Sequence, residues 1–209
     1  MPKQLVKGCI IFMLFCLSGC GQTDGADAKG TEEKNQSATV SDQLSDDLFS
    51  FQIQVDEDIF TIPSATYQDF AEKGYHDKAL DFGQLEPGHY VSDQELVNGD
   101  TTLFLDITNL TEETQIVKNC SVTVILVDYD LMFGKNPAAV FLPKGIQLGV
   151  SGKEDVIAAY GEPSDIFNGI DDQNYSILYY TRDSSHEIRI MIDGETNAIS
   201  RICLVNQPQ

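Results

Sequence analysis

Three segments alternate apolar and polar residues with the period of two that a half-buried β-strand shows. Residues 49–55, 101–108 and 187–192 each place an aromatic or aliphatic side chain at every second position. Residues 121–129 (SVTVILVDY) are apolar on both faces, which predicts a central strand covered on both sides for part of its length. Residues 176–181 (SILYYT) form a further apolar run. The chain therefore contains a sheet of several strands.

A turn signal near the C-terminus joins two of the predicted strands into a hairpin. Asp193-Gly194-Glu195 separates the isoleucine strand from a returning strand at residues 198–205. Ile199 and Ile202 are three residues apart, so they share a face of the sheet only if a β-bulge lies between them. The sequence therefore does not decide which side of the sheet Cys203 faces.

One short helix is predicted between Leu142 and Pro163 (LPKGIQLGVSGKEDVIAAYGEP). Ser151 and Glu154 form an S-x-x-E capping box, in which each side chain accepts a backbone hydrogen bond near the helix start. One face of this helix carries Val156, Ile157 and Tyr160. Gly161 can adopt the left-handed conformation that closes a helix, and Pro163 prevents continuation. The helix therefore ends at the glycine.

An earlier stretch, residues 64–74 (SATYQDFAEKG), repeats this plan. Ser64 aligns with Ser151 at an offset of 87 residues, and Thr66 with Asp69 offers an alternative cap pair. Its apolar face consists of Tyr67, Phe70 and Ala71. Two short helices at equivalent positions indicate a duplicated unit.

The repeat and the strands together predict an α+β fold of two tandem units, each a short helical segment packed on an antiparallel β-sheet. The first unit covers residues 47–133 and the second residues 145–207, with a connector at 134–144 that contains glycine and proline. Cys120 and Cys203 close the similar segments IVKNC and ISRIC. The two cysteines are therefore expected at equivalent points of the two units.

The N-terminus has the pattern of a lipoprotein signal peptide, predicted at residues 1–19. Two lysines precede the apolar run Cys9–Leu17, which is too short to span a bilayer. Leu17-Ser18-Gly19-Cys20 matches the bacterial lipobox, whose cysteine receives a diacylglyceryl group when the chain is cut just before it. The alternative is an ordinary secretory peptide whose cleavage site abuts a cysteine. We expect lipidation at Cys20, with palmitate among its acyl chains, and anchoring on the outer face of the cytoplasmic membrane.

Residues 20–46 are predicted to be a flexible tether behind this lipidated cysteine. They contain no aromatic residue and few apolar ones, and they are rich in Gly, Ser, Thr, Asp, Glu and Gln. Such a segment cannot bury enough apolar surface to offset the entropy of ordering it. Its expected role is to lift the folded part off the membrane.

The chain is strongly acidic, with 13 basic and 33 acidic residues and a formal charge of −20. Loss of the two signal-peptide lysines leaves 11 basic residues and a formal charge of about −22. Nucleic acid and anionic lipid headgroups would both be repelled. The charge is typical of solubility outside the cell, and attraction of cations or of a basic protein is the alternative.

Residues 145–205 carry a motif that resembles a known family. The motif is G-(x5)-S-x-x-E-D-V-(x4)-G-x-P, followed by a YY strand and two hairpin strands; its members are Gly145, Ser151, Glu154, Asp155, Val156, Gly161 and Pro163. It resembles the SmpA/OmlA small-lipoprotein family, which includes a component of the outer-membrane barrel assembly machine. The tandem arrangement resembles the β-lactamase inhibitory protein fold (BLIP-like), with each helical segment on a four-stranded antiparallel sheet. These residues are caps, turns and core positions, so the resemblance implies a fold and no activity. Two-unit lipoproteins of this kind are familiar from Gram-positive bacteria, so it also implies such an envelope.

Candidate chemistry is sparse along the chain. Metal-ligand spacing is absent among the histidines, which are His76, His89 and His186. His186 has an adjacent carboxylate in Glu187, beside a turn where a solvated histidine is expected. Residues 128–130 (DYD) and 171–174 (DDQN) carry oxygen ligands of the kind that calcium prefers, but neither matches an EF-hand loop, and acidic loops are the alternative. No nucleophile elbow or phosphate loop is present, so we expect no catalytic residue, no metal site and no cofactor.

The two cysteines of the predicted units are expected to remain free thiols. A disulfide requires Cα atoms within about 7 Å, and equivalent residues of a tandem pair approach that closely only near the symmetry axis. Cys120 is expected on one strand face with Val122, Val124 and Leu126, which is the environment of a buried free cysteine.

These patterns favour a non-enzymatic, membrane-anchored protein-interaction module that uses its loops and an exposed sheet face. Its partners would be the membrane, through the lipid on Cys20, and a protein, but not nucleic acid. The alternative is a proteinaceous inhibitor of a secreted or cell-envelope hydrolase, with residues 165–174 as the loop that fills an active-site cleft. An enzyme is the class that the missing motifs disfavour.

Overall fold

Strands and two short helices account for most of the folded chain. The computed structural model describes residues 39–77, 80, 83–132, 138–169 and 174–208, all within the compact unit Ser37–Gln209. The predicted signal peptide, Cys20 and most of the predicted tether lie outside these residues. The helices are α1 (Tyr67–Glu72) and α2 (Lys153–Tyr160). The strands are β1 (Gln52–Val55), β2 (Asp58–Thr61), β3 (Gln84–Leu85), β4 (Tyr90–Asn98), β5 (Thr101–Thr108), β6 (Gln115–Ile116), β7 (Ser121–Asp128), β8 (Val140–Leu142), β9 (Ile146–Gln147), β10 (Asp165–Asn168), β11 (Tyr175–Asp183), β12 (His186–Asp193) and β13 (Ile199–Asn206).

Seven of the strands form one antiparallel main sheet in the order β10-β11-β12-β13-β7-β5-β4. The apolar strand β7 lies near the middle, between β13 and β5, as its apolar pattern predicts. A smaller sheet has the order β2-β1-β8-β9, and β3 pairs with β6. The fold is therefore mainly antiparallel β-sheet with few helices.

The core lies between the main sheet and a second layer made of the smaller sheet and both helices. A single cluster of buried side chains includes Leu105 and Ile190 from the main sheet, Ile53 from the smaller sheet, Phe70 from α1 and Val156 from α2. Burying these side chains together supplies most of the driving force for folding. The second layer thus covers one side of the main sheet.

Helix α1 begins at the alternative cap pair and not at Ser64. The Asp69 carboxylate accepts hydrogen bonds from the backbone N–H of Thr66, at 2.7 Å, and from its hydroxyl, at 2.8 Å. The Ser64 hydroxyl instead donates to the carbonyl of Thr61. Tyr67 and Phe70 are fully buried, as the apolar face predicts.

Helix α2 begins one residue later than predicted, so the predicted capping box of Ser151 and Glu154 is wrong. The cap is Gly152, whose backbone N–H donates to the Asp155 carboxylate at 2.8 Å. The Ser151 hydroxyl accepts a hydrogen bond from the N–H of Gln147 instead. Because the Ser151 hydroxyl is engaged by the loop before the helix, the Asp155 carboxylate caps the N-terminus of α2.

Two predicted non-strand regions contain strands. The connector predicted at 134–144 contains β8, which pairs with β1 in the smaller sheet. The region before residue 98 contains β4, whose weak pattern reflects its place at the edge of the main sheet, with Leu96 as its one fully buried side chain. Strand β13 pairs with β7, so the main sheet runs without interruption from the second predicted unit into the first.

The folded chain starts earlier than the predicted tether boundary at residue 46. The side chain of Gln54, 1 % exposed, accepts from the N–H of Ser41 at 2.7 Å and donates to the carbonyl of Thr39 at 3.0 Å. A buried amide must satisfy its hydrogen bonds within the protein. Residues 39–41 therefore belong to the folded part, although their one apolar side chain, Val40, is exposed.

A β-bulge lies between Ile199 and Ile202, which settles the alternative that the sequence left open. Met191 pairs with Arg201 and Ile192 pairs with Ile199, so Ser200 is the extra residue. Both isoleucines are consequently fully buried on the core side.

Candidate functional site

The main sheet has one covered side and one open side. On β5, for example, Leu103, Leu105 and Ile107 belong to the core cluster, whereas Phe104 and Asp106 point away from it and are half-buried. The same division holds along β7, β11, β12 and β13. We call the side that points away from the core cluster the open face.

Three rows of directly paired residues cross the open face. The central row is Glu95, Phe104, Leu126, Cys203, Arg189, Tyr179 and Asp165, one residue from each strand. A row on one side is Asp128, Arg201, Met191, Ile177 and Phe167. A row on the other side is Asp106, Val124, Val205, Glu187 and Thr181. The register of the sheet therefore brings into one row residues that are as far apart in the chain as Glu95 and Cys203, which are 108 positions apart.

The middle of the open face is apolar. Val124, Leu126 and Val205 adjoin one another on β7 and β13, and all are partly solvent-exposed. The apolar area continues through Met191, Ile177, Tyr179 and Phe167, the last of which is 37 % exposed. A contiguous apolar patch of this kind on a strongly acidic protein marks an interaction surface more often than bare surface.

Two of the three arginines in the chain lie on the open face, and both are paired. The Arg189 guanidinium contacts Glu187, its neighbour on β12. The Arg201 guanidinium donates from Nε to Oδ2 of Asp128 at 2.7 Å, and a second, shorter contact joins the same groups. Asp128 is 3 % exposed, so its carboxylate is largely dehydrated. Its ion pair with Arg201 links β7 to β13.

Cys203 lies in the central row, on the side opposite Ile202 and Leu204. It is 7 % exposed yet does not belong to the core cluster. Burial raises the pKa of the Cys203 thiol to about 11, although the neighbouring Arg189 opposes this rise. Such a thiol is protonated at neutral pH and is a poor nucleophile.

Cys120 lies elsewhere, so the prediction that the two cysteines are equivalent is wrong. Cys203 pairs with Leu126 in the middle of β13, whereas Cys120 precedes β7 and belongs to the core cluster. Six residues along β7 separate Leu126 from Cys120, a distance of about 20 Å at the usual rise of a strand. The prediction of two free thiols is confirmed.

The open face ends in a cavity of about 370 Å³ between β4, β5, β7 and the residues after β13. Its walls include Tyr90, Asp106, Thr108, Thr123 and Gln207. The two threonine hydroxyls are hydrogen-bonded to each other at 2.8 Å. Burial raises the pKa of Asp106, the hydrogen bond from the Asp93 amide lowers it, and the Asp93 carboxylate raises it, with a net rise.

A second groove, of about 460 Å³, lies outside the open face beside β2 and α1. It is lined by several carboxylates, but Asp69 caps α1 and Asp58 contacts Lys73 at 2.5 Å. These acids thus have structural partners, and the groove has no apolar patch like that of the open face.

One of the residues that the sequence suggests for metal binding, Asp128, has other partners. Asp128 contacts Arg201 and accepts from the N–H of Asp130, while residues 171–173 lie outside the described part of the chain. Within that part, no group of three or more His, Cys, Asp or Glu side chains could hold a metal ion. His186 contacts Asp183 at 2.6 Å and not Glu187, which engages Arg189; this contact lowers the pKa of Asp183.

The loop predicted at 165–174 is in part a strand. Residues 165–168 form β10, which pairs with β11 at the edge of the main sheet, and residues 170–173 are not described. The sequence could not reveal this strand, because four residues without a fully buried side chain carry little pattern. The candidate inhibitory loop therefore begins as an edge strand.

No protein-family profile, no curated protein and no solved structure matches the chain. Among the described residues, no helix is long and apolar enough to cross a membrane.

Proposed function

We propose that the chain is a non-enzymatic protein-interaction module whose binding surface is the open face of the main sheet. The observation that carries the proposal is the contiguous apolar area formed by β7, β13, β12 and β11, which remains partly exposed while the other side of the same strands is fully buried. Exposing this area to water costs free energy that a protein partner would recover by covering it.

The size of the open face fits a protein partner. Seven strands spaced about 4.8 Å apart span about 29 Å, and strands of eight residues are about 26 Å long. The product, about 750 Å², is close to the roughly 800 Å² that each partner contributes to a standard-sized interface. Aromatic residues, a methionine and arginines, here Phe104, Tyr179, Met191, Arg189 and Arg201, are the types enriched at such interfaces.

The finer architecture that we propose is a tandem pair resembling the SmpA/OmlA and β-lactamase inhibitory protein folds. Helix α1 precedes β4, β5 and β7, and helix α2 precedes β10 to β13. Strands β7 and β13 are the last strands of the two halves, and they pair with each other. The strands of the first half therefore lie on one side of this pair and those of the second half on the other. This order supports a duplication, with three strands in the first half and four in the second.

The module would act outside the cell, anchored through a lipid on Cys20. The charge of −20, the lipobox and the polar segment behind it support this location. Residues 39–41 already bind to Gln54, so the tether would comprise at most residues 21–38. Such a polar segment would leave the open face free to meet a partner at some distance from the bilayer.

Replacing Cys20 with Ser is expected to release the protein from the membrane fraction or to leave it as the uncut precursor. The serine hydroxyl cannot accept the thioether-linked diacylglyceryl group. Membrane fractionation of producing bacteria and the mass of the intact chain measure the outcome. Replacement of Cys203, which lies in the folded part, is the matched control and should leave the fractionation unchanged. A Cys20→Ser chain that fractionates and migrates like wild type would remove the anchoring proposal.

The binding surface is tested by photo-cross-linking in the producing cells. Benzoylphenylalanine in place of Tyr179, on the open face, is expected to form an adduct with one distinct protein. The same residue in place of Gln68, exposed on α1 at the covered side, is expected to form none. An equal adduct from both positions would contradict the proposal.

The partner from that experiment then allows a quantitative test with purified full-length chain in detergent. Leu126→Asp places a charge in the central row and should raise Kd at least about tenfold, because a charge in an interface core is poorly tolerated. Gln68→Asp is the control and should leave Kd unchanged. Thermal unfolding of both variants verifies the fold. Wild-type affinity in a folded Leu126→Asp chain would overturn the proposed surface.

A further inference from the structure

The cavity at the end of the open face contains a carboxylate without a cationic partner. Asp106 accepts a hydrogen bond at Oδ1 from the Asp93 N–H at 2.9 Å. None of the ion pairs between described residues includes Asp106, whereas the two carboxylates that pair with the open-face arginines are Glu187 and Asp128. The cavity therefore has an anionic group available to a ligand.

Two irregularities of the sheet flank this carboxylate. The register between β4 and β5 shifts between Val91 and Gln94, where Asp93 has a φ of 53°. The register between β5 and β7 shifts between Asp106 and Ile107. β-Bulges re-aim side chains and are found next to functional sites more often than elsewhere. Here both bulges adjoin the same residue, one on each side of β5.

The remaining walls suit an organic cation. Tyr90, which is 63 % exposed, pairs with Thr108 on the open face and places its ring beside the cavity. The hydroxyls of Thr108 and Thr123 can accept hydrogen bonds from an N–H group. A carboxylate, an aromatic ring and hydroxyl oxygens are the groups that recognise an ammonium or a guanidinium.

We propose that this cavity receives a lysine or arginine side chain of the protein that binds the open face. The inference rests on the proposed function, because Asp106, which lines the cavity, belongs to the same row as Val124 and Val205 of the apolar area. Its volume lies at the small end of the range for ligand sites, which suits one side chain better than a large ligand. The charge of −20 would steer a basic surface toward the chain and repel an anionic one.

A metal ion fits this cavity less well than an organic cation. Calcium requires six to eight oxygen ligands, usually with several carboxylates, and Asp106 is the one carboxylate among the lining residues. Burial, together with the neighbouring Asp93 carboxylate, raises the pKa of Asp106 and so disfavours its charged form. A cation held beside it would stabilise that form.

The first test uses a small cation and does not need the partner. N-acetylarginine amide is titrated into the 15N-labelled full-length chain in detergent and followed by NMR. We expect saturable shifts of the Thr108 and Thr123 amide resonances with a Kd of about 1–10 mM, as befits a single side chain. Neutral N-acetylglutamine amide is the matched probe and should cause no such shifts. Equal shifts with both probes would overturn the assignment to a cation.

Variants of the cavity separate charge from shape. Asp106→Asn retains an acceptor for the Asp93 N–H but loses the charge, and it should abolish the shifts caused by the arginine probe. Tyr90→Ala should weaken probe binding several-fold, while Tyr90→Phe should retain it, because the ring supplies the contact. Tyr90 is mostly exposed, so these two variants test the site even if Asp106→Asn proves unstable. Unchanged binding in both Asp106→Asn and Tyr90→Ala would refute the site.

The second test uses the cross-linked partner and distinguishes this inference from the proposed function. Asp106→Asn should raise the Kd for the partner at least about tenfold, and the arginine probe should compete with the partner. If Leu126→Asp abolishes partner binding and Asp106→Asn does not change it, the cavity inference fails and the proposed surface stands. If the probe binds the cavity but Leu126→Asp leaves partner binding intact, the proposed surface fails. A free polyamine that binds the cavity at micromolar Kd without displacing the partner would overturn the assignment to a partner side chain.

Discussion

Phe70→Ala is expected to lower the free energy of unfolding by about 3–5 kcal/mol, the usual cost of removing a fully buried aromatic side chain. Phe70 is fully buried and its ring stacks on that of Phe60, with centroids 3.9 Å apart and planes at 8°. This stack joins α1 to β2 of the smaller sheet. Helix α1 has six residues, too few for a stable helix in isolation, so it depends on this packing.

Urea denaturation of the variant measures the loss. Gln68→Ala on the same helix is the matched control: its side chain is exposed and contacts Glu72, so the expected change is within about 0.5 kcal/mol. Natural domains are stable by about 5–15 kcal/mol, so the loss at Phe70 would be a large fraction of the total. A loss below about 1 kcal/mol would mean that α1 does not contribute to the core as the structure indicates.

Gly161→Val is expected to cost about 3 kcal/mol, the upper end of the range for backbone strain at one residue. Gly161 ends α2 with φ 81° and ψ −171°, a conformation that glycine alone adopts readily. Its φ is positive, as predicted, but its ψ is extended and not that of the left-handed helix. A built Cβ would meet no atom within 4 Å, so the cost arises from the backbone and not from a clash.

The geometry at Gly161 matters because both of its backbone groups are used. Its N–H donates to the carbonyl of Ile157 at 2.8 Å, and its carbonyl accepts from the Tyr180 hydroxyl at 3.0 Å. A residue that changes φ would break these contacts. Ala158→Val, at an exposed position of the same helix, is the control and should cost about 0.5 kcal/mol through helix propensity alone. Equal melting temperatures for the two variants would show that the chain does not keep a positive φ at residue 161.

Patterns within one segment were sufficient wherever the structure depends on neighbours in sequence. The alternation in β5 and β12 predicts both their extent and their buried faces, and Arg189 points outward as expected. The spacing of Ile199 and Ile202 indicates that a bulge is needed if both are to face the core, and the structure places this bulge at Ser200.

The apolar face of α1 was also predictable. On α2, Val156 and Tyr160 contact the core as predicted, but Ala159 packs there in place of Ile157. The caps of both helices depend on which of several neighbouring Ser, Thr, Asp and Glu side chains the surrounding loop engages.

The candidate site was only partly accessible to sequence reasoning. An exposed sheet face was expected to carry the interaction, but its residues were not assigned. Tyr90 and Asp106 both line the cavity, yet they come from different strands, and β4 itself lacked a recognisable pattern. An edge strand buries few side chains, so its sequence resembles that of a loop.

The sequence by itself determined the strongly patterned strands and the two helices, together with most of the side chains in them that seek the core, because these preferences arise from the local period of apolar residues. Only the tertiary structure decided that β13 pairs with β7, which side of the sheet Cys203 faces, and that β8 joins the smaller sheet. Backbone hydrogen bonds are much the same for every residue, so the apolar pattern of a strand does not specify which other strand it pairs with. The pairing of the strands depends on the free energy of packing both layers at once. The same pairing forms the open face and its cavity.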